Sequence, residues 1–427
     1  MKFAHLADIH IGAWRDDKLK EINLQTFEKA IDDILVKEVD FIIISGDIFH
    51  VNIPDLDSVK RVVIQLQKAA KLEVPVYVVF GSHDYSPNST SIIDILVAGS
   101  LLTKVWNPYM EDDKVKLRCV TDEKTGAKLC GISGRSYSME RDYYEILDRE
   151  SLEAWKGFRI FVLHSAINEI KPLSSSYDAG VQRSYLPRGF DYYAGGHIHE
   201  YLNDDQTDFG RIAYPGALFG SSFSDLENVA KGMKRGYILV EFEDKVKKVS
   251  FIETIYPKIE FHHIHGDNRT SRELSGTLRK LVNEVEPKDK IMLLKVDGML
   301  TLGLVTDIDW NEIREKLMEK GSEFVYINRR GLSTKETPEI KVQGESVKEI
   351  ESKVLSESLK DFAIPRSYSD ETQRWVEAEF KGAKGLGLAS KMLELLKTEK
   401  QEGETNADFE ERVSKEVYQI LPRRSLQ

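Results

Sequence analysis

Five apolar runs in the N-terminal half of this 427-residue chain each stop at residues able to hold a metal ion or move a proton. "MKFAHLAD" and "VDFIIISGD" stop on Asp8 and Asp47. "VPVYVVFGSHD" reaches Gly81 and then presents Ser82, His83 and Asp84. "FRIFVLHSA" carries His164 near its end, and "FDYYAGGHIH" closes on His197 and His199. Each run has the length and apolar character of a buried strand. Between the first two lies an amphipathic stretch over residues 21–38, with Ile22, Phe27, Ile31, Ile34 and Leu35 apolar. Between the second and third lies "DLDSVKRVVIQLQKAAK", again helical in pattern. Strands interleaved with helices predict an α/β domain with open sheets. Ligands in such folds sit beyond the carboxyl ends of the strands, where these polar clusters fall.

Asp8 and His10 stand two apart on an extended segment, so both can face one ion. His197 and His199 repeat that spacing, and His50 follows Asp47 by three residues. Carboxylates mixed with imidazoles suit a borderline divalent metal such as Mn²⁺, Zn²⁺ or Fe²⁺. The set exceeds what one tetrahedral site uses and suffices for two ions bridged by a carboxylate, an arrangement that serves phosphoryl displacement. Gly46, Gly81, Gly195 and Gly196 sit beside these residues, where small size permits tight turns and close approach. Singly, Asp8 reads as a turn or helix cap, His164 as a hydrogen-bonded core histidine, and "HIH" as chance. Chance would have to strike five separate strand ends. By contrast "HHIH", residues 262–265, has no Asp beside it in the sequence and reads as a surface strand.

The length calls for more than one core. With 41% hydrophobic and 31% charged residues the chain fits a soluble globular protein, and no apolar run approaches a membrane span. The start of the chain lacks a signal-peptide layout, and two cysteines, Cys119 and Cys130, are too few for a disulfide framework, so a cytoplasmic location is expected. The net charge of −11 argues against nucleic acid only on average, because bound divalent ions reverse the local sign of a carboxylate-lined site. Composition shifts near Pro257. Residues 257–343 alternate three strand patterns with two helical ones and read as a small α/β domain. Residues 344–386 read as a charged helical linker region, with "KGAKGLG" as linker or turn, and residues 387–427 as a helix-loop-helix.

The ordered motifs "DIH", "GDIFH", "GSHD", "LHS" and "GHIH" resemble the signature of calcineurin-like metallophosphoesterases. Within that superfamily "MKFAHLADIHIG", "GGHIH" and "YPGALFGSSF" are similar to the double-strand-break repair nucleases: the meiotic-recombination nuclease of archaea and eukaryotes and the SbcD subunit of bacteria. The resemblance implies a metallophosphoesterase β-sandwich flanked by helices over residues 1–256, a DNA-capping domain over 257–343, and C-terminal helices. It implies two Mn²⁺ ions, one on Asp8, His10 and His199, the other on His164, His197 and Ser82, with Asp47 bridging. His83 would stabilise or protonate the leaving oxygen, His50 would help position the phosphate, and Asp84 would orient His83 through its ring N–H. The family usually has asparagine where this chain has Ser82. A serine hydroxyl is also a neutral oxygen donor, but a shorter one. It either ligates directly or through water, leaves one ion weakly held, or is an engineered replacement that disables the site.

The resemblance further implies double-strand exonuclease (3′–5′) and single-strand endonuclease activity on DNA in break repair and homologous recombination. It implies a homodimer formed through nuclease-domain helices, here with stripes of Val62, Val63, Leu66 and Ala70 and of Ile92, Ile93, Leu96 and Val97. It also implies a coiled-coil ATPase partner (SbcC in bacteria) docked on the C-terminal helices, whose apolar positions are Leu388, Met392, Leu395 and Leu396, then Phe409, Val413, Val417 and Leu421. A self-packed C-terminal hairpin is the alternative. Arg135, Arg183, Arg329 and Arg330 are candidate DNA contacts. The competing functions are a phosphatase or phosphodiesterase acting on another phosphoester, and a nuclease-weakened scaffold caused by Ser82.

Overall fold

A computed structural model describes residues 1–84, 90–135, 139–172, 180–206, 208–334, 347–360, 370–381, 384–398 and 406–420. By contact density the chain divides into two units. Residues 1–263, 286–295 and 314–328 form the first, and residues 264–285, 296–313 and 329–427 the second.

The first unit begins with β1 (Lys2–Leu6), α1 (Asp17–Val36), β2 (Phe41–Ser45), α2 (Leu56–Lys71), β3 (Val76–Val79), α3 (Ile92–Ala98) and β4 (Thr103–Lys104). A hairpin, β5 (Pro108–Glu111) and β6 (Lys114–Leu117), leads into β7 (Val120–Thr121) and β8 (Lys128–Ile132). Then come α4 (Arg141–Glu145), α5 (Arg149–Glu153), β9 (Arg159–His164), β10 (Tyr192–Gly196), β11 (Leu202–Gln206) and β12 (Gly210–Tyr214). Helix α6 (Phe223–Ala230) and the hairpin β13 (Gly236–Phe242) and β14 (Val246–Glu253) follow.

Two six-stranded sheets result, ordered β14-β13-β1-β2-β3-β4 and β11-β12-β10-β9-β8-β7. β1 to β4 run parallel, as do β8, β9, β10 and β12, while the remaining strands pair antiparallel at the edges. Side chains alternate between the faces of a strand. In β2, Phe41 and Ile43 therefore meet Ile160, Val162, Tyr192 and Ala194 of the other sheet, making the inner core. Ile42 and Ile44 face outward onto Phe27, Ile31 and Ile34 of α1 and Val62, Leu66 and Ala69 of α2. Phe161, Leu163 and Tyr193 cover the far side with Tyr144 and Leu152. The central strands are thus buried on both faces, which is why they read as unbroken apolar runs. This is the mixed α/β sandwich expected from the sequence.

Helix α1 starts four residues before the amphipathic stretch because Asp16 accepts from the backbone N–H groups of Lys18 and Leu19. Asp55 caps α2 in the same way. The expected stripes divide: Val62, Leu66, Ile93 and Leu96 are at most 4% exposed and belong to the core of their own unit, while Val63, Ile92 and Val97 are half-buried and Ala70 is exposed. The large apolar residues exposed on α2 and α3 are Leu56, Ile64 and Ile95.

Three further strands, β15 (Lys258–His265), β16 (Lys290–Leu300) and β17 (Phe324–Thr334), pair in sequence order into a small sheet and run through both units. They alternate with α7 (Ser271–Glu284) and α8 (Trp310–Glu319). Within the second unit, Thr270 and Glu273 form a capping box at the start of α7, whose Leu274, Leu278 and Val282 are buried. That unit also contains α9 (Val347–Lys360), α10 (Asp370–Lys381), α11 (Gly385–Leu396) and α12 (Asn406–Ile420). Helix α11 lies against α9, α10 and α12, and Lys397 pairs with Glu351 at 2.7 Å. Of "KGAKGLG", read as linker or turn, Lys384 does lie in a turn between α10 and α11, while the residues from Gly385 are helical. Gly385 opens α11, buried where a Cβ would collide with the Phe380 carbonyl, so glycine serves close approach there rather than flexibility. Leu421 lies outside the described residues.

Ile43 is fully buried between the sheets. Ile43→Ala should lower unfolding stability by about 2–5 kcal/mol through lost contacts and a residual cavity. Ile255→Ala, at a residue 73% exposed, should stay within about 0.5 kcal/mol. Urea denaturation of both variants checks this pair of expectations.

Candidate metal centre

The loops after β1 and β2 and the ends of β9 and β10 meet at one edge of the sandwich. Asp8, His10 and Asp47 follow their strands within four residues, His164 ends β9, and His197 follows β10 directly. Four of the eleven described non-glycine residues with positive φ are Asp8 (φ 50°), His10 (φ 50°), Asp47 (φ 54°) and His197 (φ 84°). A left-handed backbone is unfavourable for such residues, and its concentration here is strain held at one site. Glycines leave the room. A Cβ at Gly46 would strike the His164 ring, and one at Gly196 would strike the Ser45 carbonyl and lie 2.8 Å from His164 Nδ1.

Asp47 sits at the centre. Its Oδ1 accepts from the His83 backbone N–H at 2.9 Å. Its Oδ2 lies 3.3 Å from His164 Nε2 and 3.6 Å from His10 Nε2. Asp8 accepts from the His197 N–H with both oxygens at 3.0 Å. Ligand atoms of Asp8, His10 and His199 come within 4.8 Å of one another, as do those of Asp8, Asp47 and His164. Asp8, His10, Asp47 and His164 are each at most 2% exposed.

The outer ring nitrogens set the tautomers. His164 Nδ1 is 2.7 Å from the Ser45 carbonyl oxygen, which can only accept, so Nδ1 carries a proton and Nε2 is the nitrogen turned toward Asp47. His199 Nδ1 faces the Asp225 carboxylate at 3.1 Å, leaving its Nε2 3.1 Å from His10 Nε2. Burial holds His10 well below the usual histidine range and His197 down to about 3. Burial pushes Asp8 up to about 6. It works to raise Asp47 too, but the His164 and His10 rings hold that carboxyl well below the carboxylate range. His164 is pushed up to about 10, Asp47 outweighing burial. An ionised carboxylate ringed by imidazole nitrogens, able to exchange their protons for a cation, is a donor set for a divalent metal. His164 Nε2 supports the fit directly: buried, it makes no hydrogen bond, and its Asp47 contact lacks the alignment of one.

His83 and His50 flank this group. Their rings stack with centroids 4.6 Å apart, and His10 lies against both. His83 Nδ1 donates to the His50 carbonyl at 2.7 Å, which turns Nε2 away. The expected role of Asp84 is corrected. Its carboxylate does not reach the His83 ring but accepts from the backbone N–H groups of Ile48, Phe49 and Gly81, binding the Asp47 loop to the His83 loop. Burial pushes its carboxyl up to about 6. Ser82 lies on the same turn, half-buried, and among the described residues its hydroxyl has no hydrogen-bond partner.

Asp225 and Arg235 carry no signal of their own in the chain, yet they hold His199. The fully buried Arg235 guanidinium donates to Asp225 Oδ1 at 3.0 Å and to the His199 carbonyl. Asp225 also accepts from the Ser221 N–H at 2.9 Å. A capping pattern, Ser222 accepting from the Asp225 N–H, is the one local clue. "HHIH" lies on β15 as a surface strand, but the expected lack of an acidic partner is corrected: His265 pairs with Asp297 at 2.8 Å and His262 with Glu260 at 2.9 Å. Arg135 donates to the Tyr143 hydroxyl, Arg183 lies over Phe209, Arg329 lies over Trp310, and Arg330 is exposed.

Asp225→Asn keeps the shape of the His199 support but removes its charge. It should weaken Mn²⁺ binding by about 10–100-fold, read by isothermal titration calorimetry, and wild-type affinity would contradict the assignment.

Residues 1–201 match the family described as calcineurin-like phosphoesterase. A protein of Archaeoglobus fulgidus named DNA double-strand break repair protein Mre11 is 25% identical over 422 residues, covering 90% of this chain and 91% of its own length. Proteins of the same name from Methanocaldococcus jannaschii and Sulfurisphaera tokodaii are 26% and 28% identical. The first alignment covers 78% of this chain and 91% of that protein, the second 58% and 61%. The carboxylate–imidazole cluster lies within residues 1–201, the part of the chain that matches the calcineurin-like phosphoesterase family.

Proposed function

We propose that this chain is a divalent-metal-dependent DNA nuclease acting in double-strand break repair. The observation that carries the reading is the convergence of Asp8, His10, Asp47, His164 and His199 beside two further histidines. The similarity to archaeal proteins named for break repair supports DNA as the substrate.

In this reading Asp8, His10 and His199 hold one ion, His164, His197 and Ser82 a second, and Asp47 touches both. Two Mn²⁺ ions bound there supply Lewis acidity to a phosphodiester and an attacking water. The protein's own part is positional. Asp47 and Asp8 hold the loops through the His83 and His197 N–H groups. The His50 carbonyl holds the His83 Nδ1–H, so that the doubly protonated ring would offer its Nε2–H to the leaving oxygen, and His50 would steer the phosphate. Ser82 is the weakest donor, its hydroxyl being shorter than an amide. We further propose 3′–5′ double-strand exonuclease and single-strand endonuclease activity, and a homodimer for which Leu56, Ile64 and Ile95 offer outward apolar surface. A coiled-coil ATPase would dock on α11 and α12. Residues 257–343 would cap DNA.

End-labelled duplex DNA incubated with Mn²⁺ tests the reading. The wild type should cleave, chelation should abolish cleavage, and Mn²⁺ should restore it. His83→Ala should slow cleavage by about 10²–10⁴-fold, as expected for loss of a general acid. Ser82→Asn should tighten the second ion. Cleavage by Ser82→Asn alone would mark the native chain as a weakened scaffold. Rapid phosphate release from small esters without DNA cleavage would favour a phosphatase.

A further inference from the structure

We propose that His5, buried in the middle of the sandwich, positions His164 through Ser45 and thereby sets the affinity of the second metal position. The inference rests on the reading of His164 as a metal ligand given above.

His5 lies on β1 and is fully buried. Its Nε2 is 2.8 Å from Ser45 Oγ and its Nδ1 is 3.0 Å from the Tyr192 hydroxyl. Ser45 Oγ donates to the Ala194 carbonyl at 2.9 Å. A hydroxyl has a single hydrogen to give. Because Ser45 gives its own to Ala194, it must accept from His5, so His5 carries its proton on Nε2. Nδ1 then accepts from Tyr192. The bonds run in one direction, Tyr192 to His5 to Ser45 to Ala194. They start on the second sheet, cross the first and return. In this arrangement the His5 ring is neutral, with the Gly195 backbone as a further neighbour. Burial agrees, pushing that ring down to about 3.

Ser45 is the joint between this chain of bonds and the site. Its side chain is held by His5, and its carbonyl oxygen accepts from His164 Nδ1 at 2.7 Å. The next residue, Gly46, has φ 88° and leads to Asp47. Gly196 packs so closely on the Ser45 carbonyl that a Cβ would collide with it. The peptide therefore has little room to rotate, and what fixes the Ser45 side chain also fixes the acceptor that aims His164. Outer partners of this kind commonly tune metal affinity by about 10–100-fold. His5 touches no candidate ligand itself, so its action is through position.

The test is a Mn²⁺ titration by calorimetry, with thermal melting run beside it. The wild type should bind two ions. His5→Leu should keep one tight site and weaken the other by about 10–100-fold. His5→Gln, whose amide can still donate to Ser45, should recover most of that affinity. Tyr192→Phe should lower the melting temperature by removing the remote donor, while leaving both ions tight. A role confined to stability would move melting in all three variants and affinity in none. Should His5→Leu fail to fold, Ser45→Ala serves in its place, because it releases His5 but keeps the carbonyl on His164. The same selective loss is expected. Two tight sites in a folded His5→Leu or Ser45→Ala protein would overturn the inference. A wild type that binds no ion would instead sink the metal reading on which it rests.

Discussion

A carboxylate without water around it must be surrounded by partners, since an isolated buried charge is far too unfavourable to persist. Asp47 is such a group, 2% exposed, and the N-terminal unit is arranged around it. Its oxygens meet a backbone N–H from the His83 turn and imidazoles from the β1 and β9 ends. Those partners come from parts of the chain more than seventy residues apart. They meet because two mainly parallel sheets stack with the carboxyl ends of β1 and β2 beside those of β9 and β10. The positive φ angles, the crowded glycines and the buried Asp8 all follow from bringing that many polar groups to one edge.

The sheets were legible because parallel strands buried on both faces cannot hide their apolar runs. Candidate ligands were legible for a related reason: a strand end is where an apolar run gives way to residues that face a crevice. The partner of each residue was not legible. The family resemblance implied a bond from Asp84 to the neighbouring His83 ring, yet the turn points the carboxylate at the backbone of Ile48, Phe49 and Gly81. Asp225 was invisible because its bond to His199 spans 26 residues and joins a helix start to a loop. Periodicity also says that a helix has an apolar face without saying what covers it. Val62 and Leu66 pack into the core of their own unit. His265 shows the same limit, its Asp297 partner lying on the neighbouring strand.

The site is layered in its chemistry. The innermost groups are one low-lying carboxylate, two imidazoles that burial keeps neutral, His10 and His197, and His164, which Asp47 pushes up. Around them stand the Ser45 carbonyl, the Asp225 carboxylate and the His50 carbonyl, each taking the far ring proton of one histidine. Ser82 is the exception, a donor that nothing among the described residues holds in place. That contrast makes the His164 side of the centre the one whose affinity depends most on surrounding support.

Anomalous scattering from crystals soaked in Mn²⁺ addresses the central claim directly. The account predicts two peaks about 3.5–4 Å apart, one among Asp8, His10 and His199, the other at His164 and His197, with Asp47 between them. Peaks elsewhere, or none at this cluster at saturating Mn²⁺, would contradict it.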